Sequence, residues 1–384
     1  MSGDALRILV GDCRQSLQSL PEQSAQCCIT SPPYFGLRDY GMAGQLGLEP
    51  TPEAYVAAMV DVFRAVRRVL RDDGTLWVNI GDSYANTGKS GGGAQGERWA
   101  KAGGRTNDCK GTFKYAPPGY KPKDLMGVPW MLAFALRADG WYLRADIVWH
   151  KRAPMPESVR DRPTRAHELV FLLTKRPTYF YDADAVREPS NPAHSAHHDR
   201  YKSRLNTSPR NPDRNDGGGA TQGGVGYNPA GRNKRDVWTL GPEPYRGAHF
   251  AVMPTKLVEP CVRAGTSERG ACPHCGAPWV RQTERTVHGR PKVCPGDEGA
   301  WQTRRAGAGR DMTDDPLANS GLHSQYLDVR RETIGWIPSC ACPAHEPVPC
   351  VVLDPFGGSG TVAGVALALG RAAVLCELNP AYAA

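Results

Sequence analysis

The clearest chemical pattern in the sequence lies close to its C-terminal end. An apolar run over 351–353 reaches Asp354, and a glycine-rich turn follows it as far as Thr361. A helix candidate over 362–369 then leads to a second apolar run that ends at Glu377. Glycines at such a turn let a ligand approach the backbone, and a carboxylate at the next strand end can bind ribose hydroxyls. The spacing predicts a strand–turn–helix–strand unit that binds a nucleotide-like ligand.

A second stretch, Ser31-Pro32-Pro33-Tyr34, follows a buried strand predicted over 25–29. Two consecutive prolines cannot continue a strand, because each lacks a backbone N–H and fixes its own φ. The pattern therefore predicts a rigid, extended turn. Taken alone, it is also consistent with a loop that has only a structural role.

The sequence holds twelve cysteines, most of them in apolar strands or as singletons, where a buried thiol is the simplest interpretation. No secretory leader opens the sequence, so disulfides are not expected. Cys272 and Cys275 form a C-x-x-C pair, and a shorter pair follows at Cys340 and Cys342. Two such pairs predict a four-thiolate, tetrahedral structural zinc site. Rival ligands are Cys294, His345 and Cys350.

The two opening stretches together resemble the permuted, beta-class amino-methyltransferases that act on DNA. In this chain, Ser-Pro-Pro-Tyr precedes Asp-Pro-Phe-x-Gly-Ser-Gly-Thr at 354–361, which is the motif order of that class. Further matches are Gly11-Asp12, the stretch Gly-Asp-Ser-Tyr at 81–84 and Gly-Ala-His-Phe at 247–250. The resemblance implies a Rossmann-like, S-adenosylmethionine-dependent methyltransferase. Its α/β fold would have a mostly parallel sheet with helices on both faces.

The resemblance also implies roles for single residues. Ser31 and the carbonyl of Pro32 would accept hydrogens from the exocyclic amine of a flipped base, which frees the nitrogen lone pair. Pro33 belongs to the same rigid turn, and Tyr34 would stack on the base. These four are the catalytic candidates.

Glu377 would bind the ribose of the cofactor and Asp12 would face its adenine amine, whereas His249 could instead cap the next helix. The residues implied to bind the cofactor are Asp12, His249, Phe250, Asp354, Pro355, Phe356, Gly358, Ser359, Gly360, Thr361, Glu377 and Asn379.

Several functions stay open. Serine at the first motif position favours cytosine N4 over adenine N6, although the motif occurs with both bases. RNA or protein amine methylation is a more distant alternative, because the protein-glutamine enzymes carry Asn-Pro-Pro-Tyr after the cofactor loop. A zinc-containing nucleic-acid binder without activity would leave both motifs unexplained.

Alternating elements support the predicted fold class. Apolar residues recur every three or four positions over 51–70, which predicts an amphipathic helix. Asp124 is predicted as the N-cap of a further helix that ends at Ala138. Strands are predicted over 6–10, 25–29, 75–80, 141–149, 169–173 and 372–376. Strands that alternate with helices favour a mostly parallel sheet.

The chain is predicted to be one catalytic domain with two insertions. The segments are a catalytic half (1–189), a basic flexible insertion (190–235), a return to the core (236–270), a zinc-ribbon-like insertion (271–348) and a cofactor-binding half (349–384). The basic insertion is a candidate target-recognition region, or simply a solvated loop. A proline-stiffened basic loop offers candidate DNA-phosphate ligands: Lys151, Arg152, Arg160, Arg162 and Arg165.

The bulk properties fit this interpretation. The 384 residues carry a net charge of +8, which suits a polyanionic partner such as double-stranded DNA without requiring one. No apolar run approaches the roughly 20 residues that span a bilayer, so we expect a cytoplasmic protein. We expect a monomer or homodimer and a possible cognate restriction nuclease as partner. The sequence stops at Ala384, where the family pattern continues, so we expect either truncation or a short closing helix.

Overall fold

The computed structural model describes residues 5–85, 116–154, 156–189, 231–241, 243, 253–288 and 328–383. Its strands, in chain order, are β1 Leu6–Val10, β2 Ala25–Thr30, β3 Leu70–Ile80, β4 Tyr142–Lys151, β5 His167–Thr174, β6 Val237–Leu240, β7 Trp279–His288, β8 Asp328–Pro338, β9 Val351–Asp354 and β10 Ala372–Glu377. Eight of them form one sheet in the order β1-β10-β9-β2-β3-β5-β4-β6. Only β5 runs antiparallel to its neighbours in this sheet. The predicted mostly parallel sheet is confirmed.

Five α-helices cover the sheet within the described ranges: α1 Cys13–Gln18, α2 Pro52–Val69, α3 Val128–Ala138, α4 Thr255–Gly265 and α5 Thr361–Ala368. The first three pack together on one face, and α4 packs against α5 on the other. The expectation of helices on both faces is confirmed. Across the described parts of the chain, no helix combines the length and apolarity needed to cross a membrane.

Alternate side chains of the central strands supply the two cores. Cys27, Ile29 and Trp77 belong to the core beneath α4 and α5. Cys28 and Val78 belong to the opposite core, with α1, α2 and α3. This division follows from the two-residue period of a strand, and both faces are apolar because helices cover both.

Helix α2 shows how closely local chemistry sets an element. The side chain of Thr51 accepts a hydrogen bond from the N–H of Ala54 at 3.2 Å, and Pro52 occupies the first turn. The prediction of a helix over 51–70 is confirmed to within one residue at each end. The chain passes straight into β3, which begins at Leu70 rather than at Thr75 as predicted, because Leu70 pairs with Ala25 and is fully buried.

The predicted start of α3 is wrong. The helix begins at Val128, not after Asp124, and its N-cap is Gly127, which has a φ of 73° and no capping side chain. The carboxylate of Asp82 instead accepts the N–H of Gly127 at 3.2 Å and that of Val128 at 3.1 Å. Asp124 accepts the N–H of Lys121 within its own turn. The cap of α3 is thus supplied by Asp82, which follows β3 and is distant in the sequence, so the local sequence cannot reveal it.

The chain divides into two compact units. The first comprises Met1–Val186, Arg235–Val280 and Trp336–Ala384, and it holds the eight-stranded sheet. The second comprises Arg187–Lys234 and Arg281–Gly335. Its described part contains most of the ribbon formed by β7 and β8, where Arg281 donates to the hydroxyl of Thr333 at 2.8 Å. Residues 190–230 and 289–327, which include most of the predicted basic insertion, lie outside the described residues.

Candidate active site

The two motifs meet because their strands are neighbours. β2 pairs with β9 in parallel, with Cys27 opposite Val352, so both strands end at the same edge of the sheet. The hydroxyl of Thr30, the last residue of β2, donates to the carboxylate of Asp354, the last residue of β9, at 2.7 Å. In parallel sheets, ligands bind beyond such carboxyl ends. Residues 324 positions apart therefore form one buried contact at the site.

The glycine-rich loop after β9 is held by backbone groups. The N–H of Gly357 donates to the carbonyl of Cys376 at 2.8 Å. The Glu377 carboxylate accepts the N–H of Gly358 at 2.7 Å and that of Asn379 at 2.8 Å. Gly360 then caps α5 with a φ of 71°, a conformation that favours glycine. The loop and the end of β10 thus form one hydrogen-bonded cradle.

Asp354 lies at the base of this cradle and is 3% exposed. Burial, aided by the nearby charge of Glu377, raises the pKa of the Asp354 carboxyl to about 7. Hydrogen bonds from Thr30 and from the N–H of Phe356 oppose this shift, because they stabilise the carboxylate. The group therefore changes its protonation state near neutral pH.

Side chains hold the proline turn after β2. The Tyr34 hydroxyl donates to the carboxylate of Glu168 at 2.7 Å and lies 3.4 Å from the Ser31 hydroxyl, which donates to it. Burial and the adjacent Glu168 charge raise the pKa of the Tyr34 phenol well above its usual value, so it stays protonated. The Tyr34 ring passes so close to Gly81 that a Cβ there would lie 2.7 Å from a ring carbon.

The two proline carbonyls of the turn have different surroundings. The hydroxyl of Tyr55, on α2, donates to the carbonyl of Pro33 at 2.8 Å. The carbonyl of Pro32 accepts no hydrogen bond from the residues that the structure describes. It is thus a strong acceptor with spare capacity beside the Ser31 hydroxyl.

The motifs share one cavity of about 830 Å³. Its walls include a large group of the predicted site residues: Asp12, Ser31, Pro32, Pro33, Tyr34, Lys151, Arg165, Asp354, Pro355, Phe356, Gly358, Ser359, Thr361, Glu377 and Asn379. Gly360 lies between two of these residues, Ser359 and Thr361, and is the N-cap of α5. His249 and Phe250 lie outside the described residues.

Two acidic residues that line the cavity, the predicted cofactor ligand Asp12 and Asp82 of the 81–84 motif, also have structural partners. Asp12 caps α1 by accepting the N–H of Arg14 at 2.8 Å, and its hydrogen bonds to the Arg14 guanidinium lower the pKa of its carboxyl. Burial raises the pKa of the Asp82 carboxyl, which caps α3 as described above. Both side chains also line the cavity, so capping does not remove them from it.

The predicted DNA-phosphate ligands differ in their ion-pair partners and in their exposure. Lys151 is paired with Glu168 and Arg165 lies 3.9 Å from Asp82, both at the cavity wall. Arg162 pairs with Glu157 at 2.6 Å and lies over the ring of Tyr84. Arg152 and Arg160 are exposed.

The four favoured cysteines do come together. The sulfur atoms of Cys272, Cys275, Cys340 and Cys342 all lie within 4.8 Å of one another. The N–H of His274 donates to the Cys272 sulfur at 3.4 Å, as in a metal-binding knuckle. Of the rivals, His345 lies with its Nδ1 3.9 Å from Cys272, Cys350 is buried beside Ser267, and Cys294 is outside the described residues.

Sequence reasoning missed two residues of the site, Asn79 and Glu168. Asn79 Nδ2 donates to the Glu168 carboxylate at 3.2 Å, and both residues line the cavity. A faint signal existed, since Asn79 is the only amide in the apolar run 75–80 and Glu168 directly precedes the apolar run 169–173. Buried strands seldom carry such groups unless the groups are paired.

Comparison with known proteins agrees with this geometry. The family model for N6 and N4 methyltransferases, described as DNA methylase, matches residues 25–272 and 349–384. The chain is 44% identical over 271 residues to the Type II methyltransferase M.SmaI of Serratia marcescens, covering 69% of this chain and 76% of that protein. It is also 44% identical over 258 residues to the Type II methyltransferase M.XycI of Xanthomonas campestris pv. cyanopsidis, covering 67% of this chain and 71% of that protein.

Among solved structures, the PvuII DNA methyltransferase (cytosine-N4-specific) aligns with a TM-score of 0.51 over 99% of this chain and 86% of that one. The identity is 14%, so this likeness shows the fold alone. The family match covers both the proline turn and the glycine-rich loop. The chain therefore belongs to the N6/N4 DNA methylase family.

Proposed function

We propose that this protein transfers a methyl group from S-adenosylmethionine to the exocyclic amine of a flipped base in double-stranded DNA. The observation that carries the proposal is the single cavity lined by both Ser31–Tyr34 and the loop after Asp354. A methyl donor and an amine acceptor must occupy one enclosed space, since the transfer is an in-line displacement that depends on positioning.

The cradle suits S-adenosylmethionine. Glu377 uses each carboxylate oxygen for one backbone N–H, which leaves further lone pairs for ribose hydroxyls. Gly357 packs its backbone against β10 so closely that a Cβ would lie 3.2 Å from the Cβ of Leu375. The cofactor would supply the electrophilic methyl group. A volume of about 830 Å³ lies within the usual range for ligand sites.

The proline turn suits the amine. The lone pair of an exocyclic amine is delocalised into its ring, so the nitrogen is a poor nucleophile until acceptors take its hydrogens. The Ser31 oxygen and the free carbonyl of Pro32 are two such acceptors side by side. The Tyr34 ring, fixed between Glu168 and Gly81, offers a surface on which the base would stack.

Within this function, Ser31 favours cytosine N4, with adenine N6 as the alternative. The order of the motifs supports membership of the permuted class. The Type II names of the relatives support a restriction nuclease as the partner of this chain. Arg152 and Arg160, which are exposed, are the candidates best placed to contact DNA phosphates.

The cysteine cluster supports structural zinc, held by Cys272, Cys275, Cys340 and Cys342. Four sulfurs bound to zinc at about 2.3 Å would lie about 3.8 Å apart, which is compatible with sulfur atoms that all lie within 4.8 Å of one another. The cluster is joined to the sheet, because Gln26 donates to the carbonyl of Gly276 at 3.0 Å and Arg71 donates to that of Cys275. Zinc would stabilise this junction rather than act on the methyl group.

Labelled methyl transfer to duplex DNA, RNA and protein, measured side by side, tests the main proposal. We expect label in DNA, and nucleoside analysis of the product then separates N4-methylcytosine from N6-methyladenine. The double variant Ser31→Ala/Tyr34→Ala should lose transfer but still bind the cofactor. Label only in protein, or an active double variant, would overturn the proposal.

Metal analysis of the purified protein tests the zinc site. We expect near-stoichiometric zinc, lost in Cys342→Ser and kept in Cys350→Ala, which removes a rival thiol. Absence of zinc from the wild-type protein, or its loss only in Cys350→Ala, would show that the ligand set is wrong.

A further inference from the structure

A chain of three hydrogen-bonding groups runs through the proline turn. Ser31 donates to the Tyr34 hydroxyl at 3.4 Å, and Tyr34 donates to Glu168 at 2.7 Å. The Glu168 side chain is only 14% exposed, and the Lys151 ammonium pairs with its other oxygen. The chain therefore starts at the proposed amine acceptor and ends on a partly buried carboxylate.

The direction of this chain decides what Ser31 can do. A hydroxyl carries one proton, and its oxygen is a free acceptor only when that proton points elsewhere. The Tyr34 oxygen can accept the Ser31 proton because its own proton is committed to Glu168. If Tyr34 instead donated to Ser31, the Ser31 proton would be turned toward the cavity and would face the hydrogens of the amine.

We propose that Glu168 is a positioning residue that acts through Tyr34 and orients the Ser31 hydroxyl so that its oxygen accepts from the target amine. This inference rests on the proposed methyl transfer. It explains why a carboxylate, an acceptor without a proton, stands at the end of the chain.

The surroundings of Glu168 hold that carboxylate in place. Asn79 Nδ2 donates to Glu168 at 3.2 Å and to the carbonyl of Leu169 at 3.2 Å, so the amide is fixed between two acceptors. Its oxygen lies 3.3 Å from the Tyr34 hydroxyl, farther than the Glu168 oxygen at 2.7 Å. With Lys151 on the opposite oxygen, Glu168 presents one fixed acceptor to Tyr34.

Glu168→Gln tests this idea because it keeps the shape of the side chain. Lys151 would attract the amide oxygen, so the amide NH₂ would face Tyr34 and reverse the chain. We expect kcat for methyl transfer to fall about 10- to 100-fold, the range for losing one hydrogen bond to a charged group. The Kd for S-adenosylmethionine and the Tm of Glu168→Gln should match those of Glu259→Gln. This control makes the same change at an exposed ion pair on α4.

Tyr34→Phe is the second variant of this test. It removes the hydroxyl that links Ser31 to Glu168 and keeps the aromatic ring. Adding Glu168→Gln to Tyr34→Phe should then lower kcat little further, since the effect passes through the phenol. Two losses that multiply would show that Glu168 acts on the base directly. An unchanged kcat in Glu168→Gln would also overturn the proposal. So would a fall in cofactor affinity as large as the fall in kcat, accompanied by a lower Tm, because that pattern indicates a general loss of structure.

A spectroscopic arm separates this inference from the proposed function. The ring carbons of tyrosine are labelled with ¹³C, and the Tyr34 signal is assigned by its loss in Tyr34→Phe. We expect the signal to move in Glu168→Gln and not in Glu259→Gln. A Tyr34 signal that does not move contradicts the inference about Glu168. A wild-type protein that never methylates DNA contradicts the proposed function instead, and the Tyr34 signal can still be measured in that case.

Discussion

The two halves of the cavity are built in different ways. The glycine-rich loop is held by backbone N–H groups that donate to a neighbouring strand and to Glu377. The proline turn is held by side chains, through the hydroxyls of Tyr34 and Tyr55 and the carboxylate of Glu168. Apart from the hydrogen bond between Thr30 and Asp354, the hydrogen bonds described above for the loop join residues within 354–379. The turn instead draws its partners from three other parts of the chain.

Because the two halves are held in different ways, we expect changes in one to alter cofactor affinity and changes in the other to alter the rate of methyl transfer. A loop fixed by backbone groups should depend on its carboxylates and glycines, and changes there should alter cofactor affinity. A turn fixed by distant side chains should depend on those side chains, and changes there should alter the rate of transfer with the cofactor still bound. Three measurements test this comparison.

The largest effect concerns Asp354, where the two halves touch. Its pKa is about 7 in the folded protein against 3.8 for the ordinary group, so the folded state holds the proton more tightly than the unfolded state. Stability from this group is therefore complete below about pH 4 and is lost as pH rises toward 7. The loss amounts to about 4 kcal/mol of unfolding free energy.

Urea unfolding of the wild type and Asp354→Asn at about pH 4.5 and about pH 7.5 measures this effect. Asparagine keeps the shape without the titration, so the advantage of the wild type should shrink as pH rises. Equal pH dependence in both proteins would mean that Asp354 is ionised at both pH values. The pKa of its carboxyl would then not be raised, which contradicts this prediction.

The next effect is on the cradle. Glu377→Ala leaves the N–H groups of Gly358 and Asn379 without their acceptor and removes the proposed ribose ligand. We expect the affinity for S-adenosylmethionine, measured by calorimetry, to fall by about 100-fold. Tyr34→Phe should leave that affinity unchanged. Equal losses in both variants would contradict the separation of binding from rate.

The smallest effect is on the turn. Gly81→Ala places a Cβ 2.7 Å from the Tyr34 ring, which must shift. We expect kcat to fall about tenfold, the equivalent of about 1.4 kcal/mol, with cofactor affinity kept. Gly364→Ala on α5 is the matched control, because its Cβ would meet nothing within 4 Å and alanine favours a helix. A Gly81→Ala enzyme as active as this control would show that the ring position does not limit the rate.

The sequence by itself determined several of the elements and the two motifs. Helix α2, the β-strands around the glycine-rich loop and the rigid proline turn follow from local periodicity and from proline and glycine chemistry, which act over a few residues. The pairing of C-x-x-C with a second short cysteine pair was also visible, because metal ligands of one type leave a spacing signature.

Only the tertiary structure decided which distant groups complete the site. The Asp82 cap of α3, the Thr30–Asp354 contact and the Glu168 partner of Tyr34 join residues that are 45, 324 and 134 positions apart. No local pattern encodes such pairs, since each depends on strand order and register. The physical reason is that a hydrogen bond acts over about 3 Å, so its partner is selected by the packing of the sheet and not by distance along the chain.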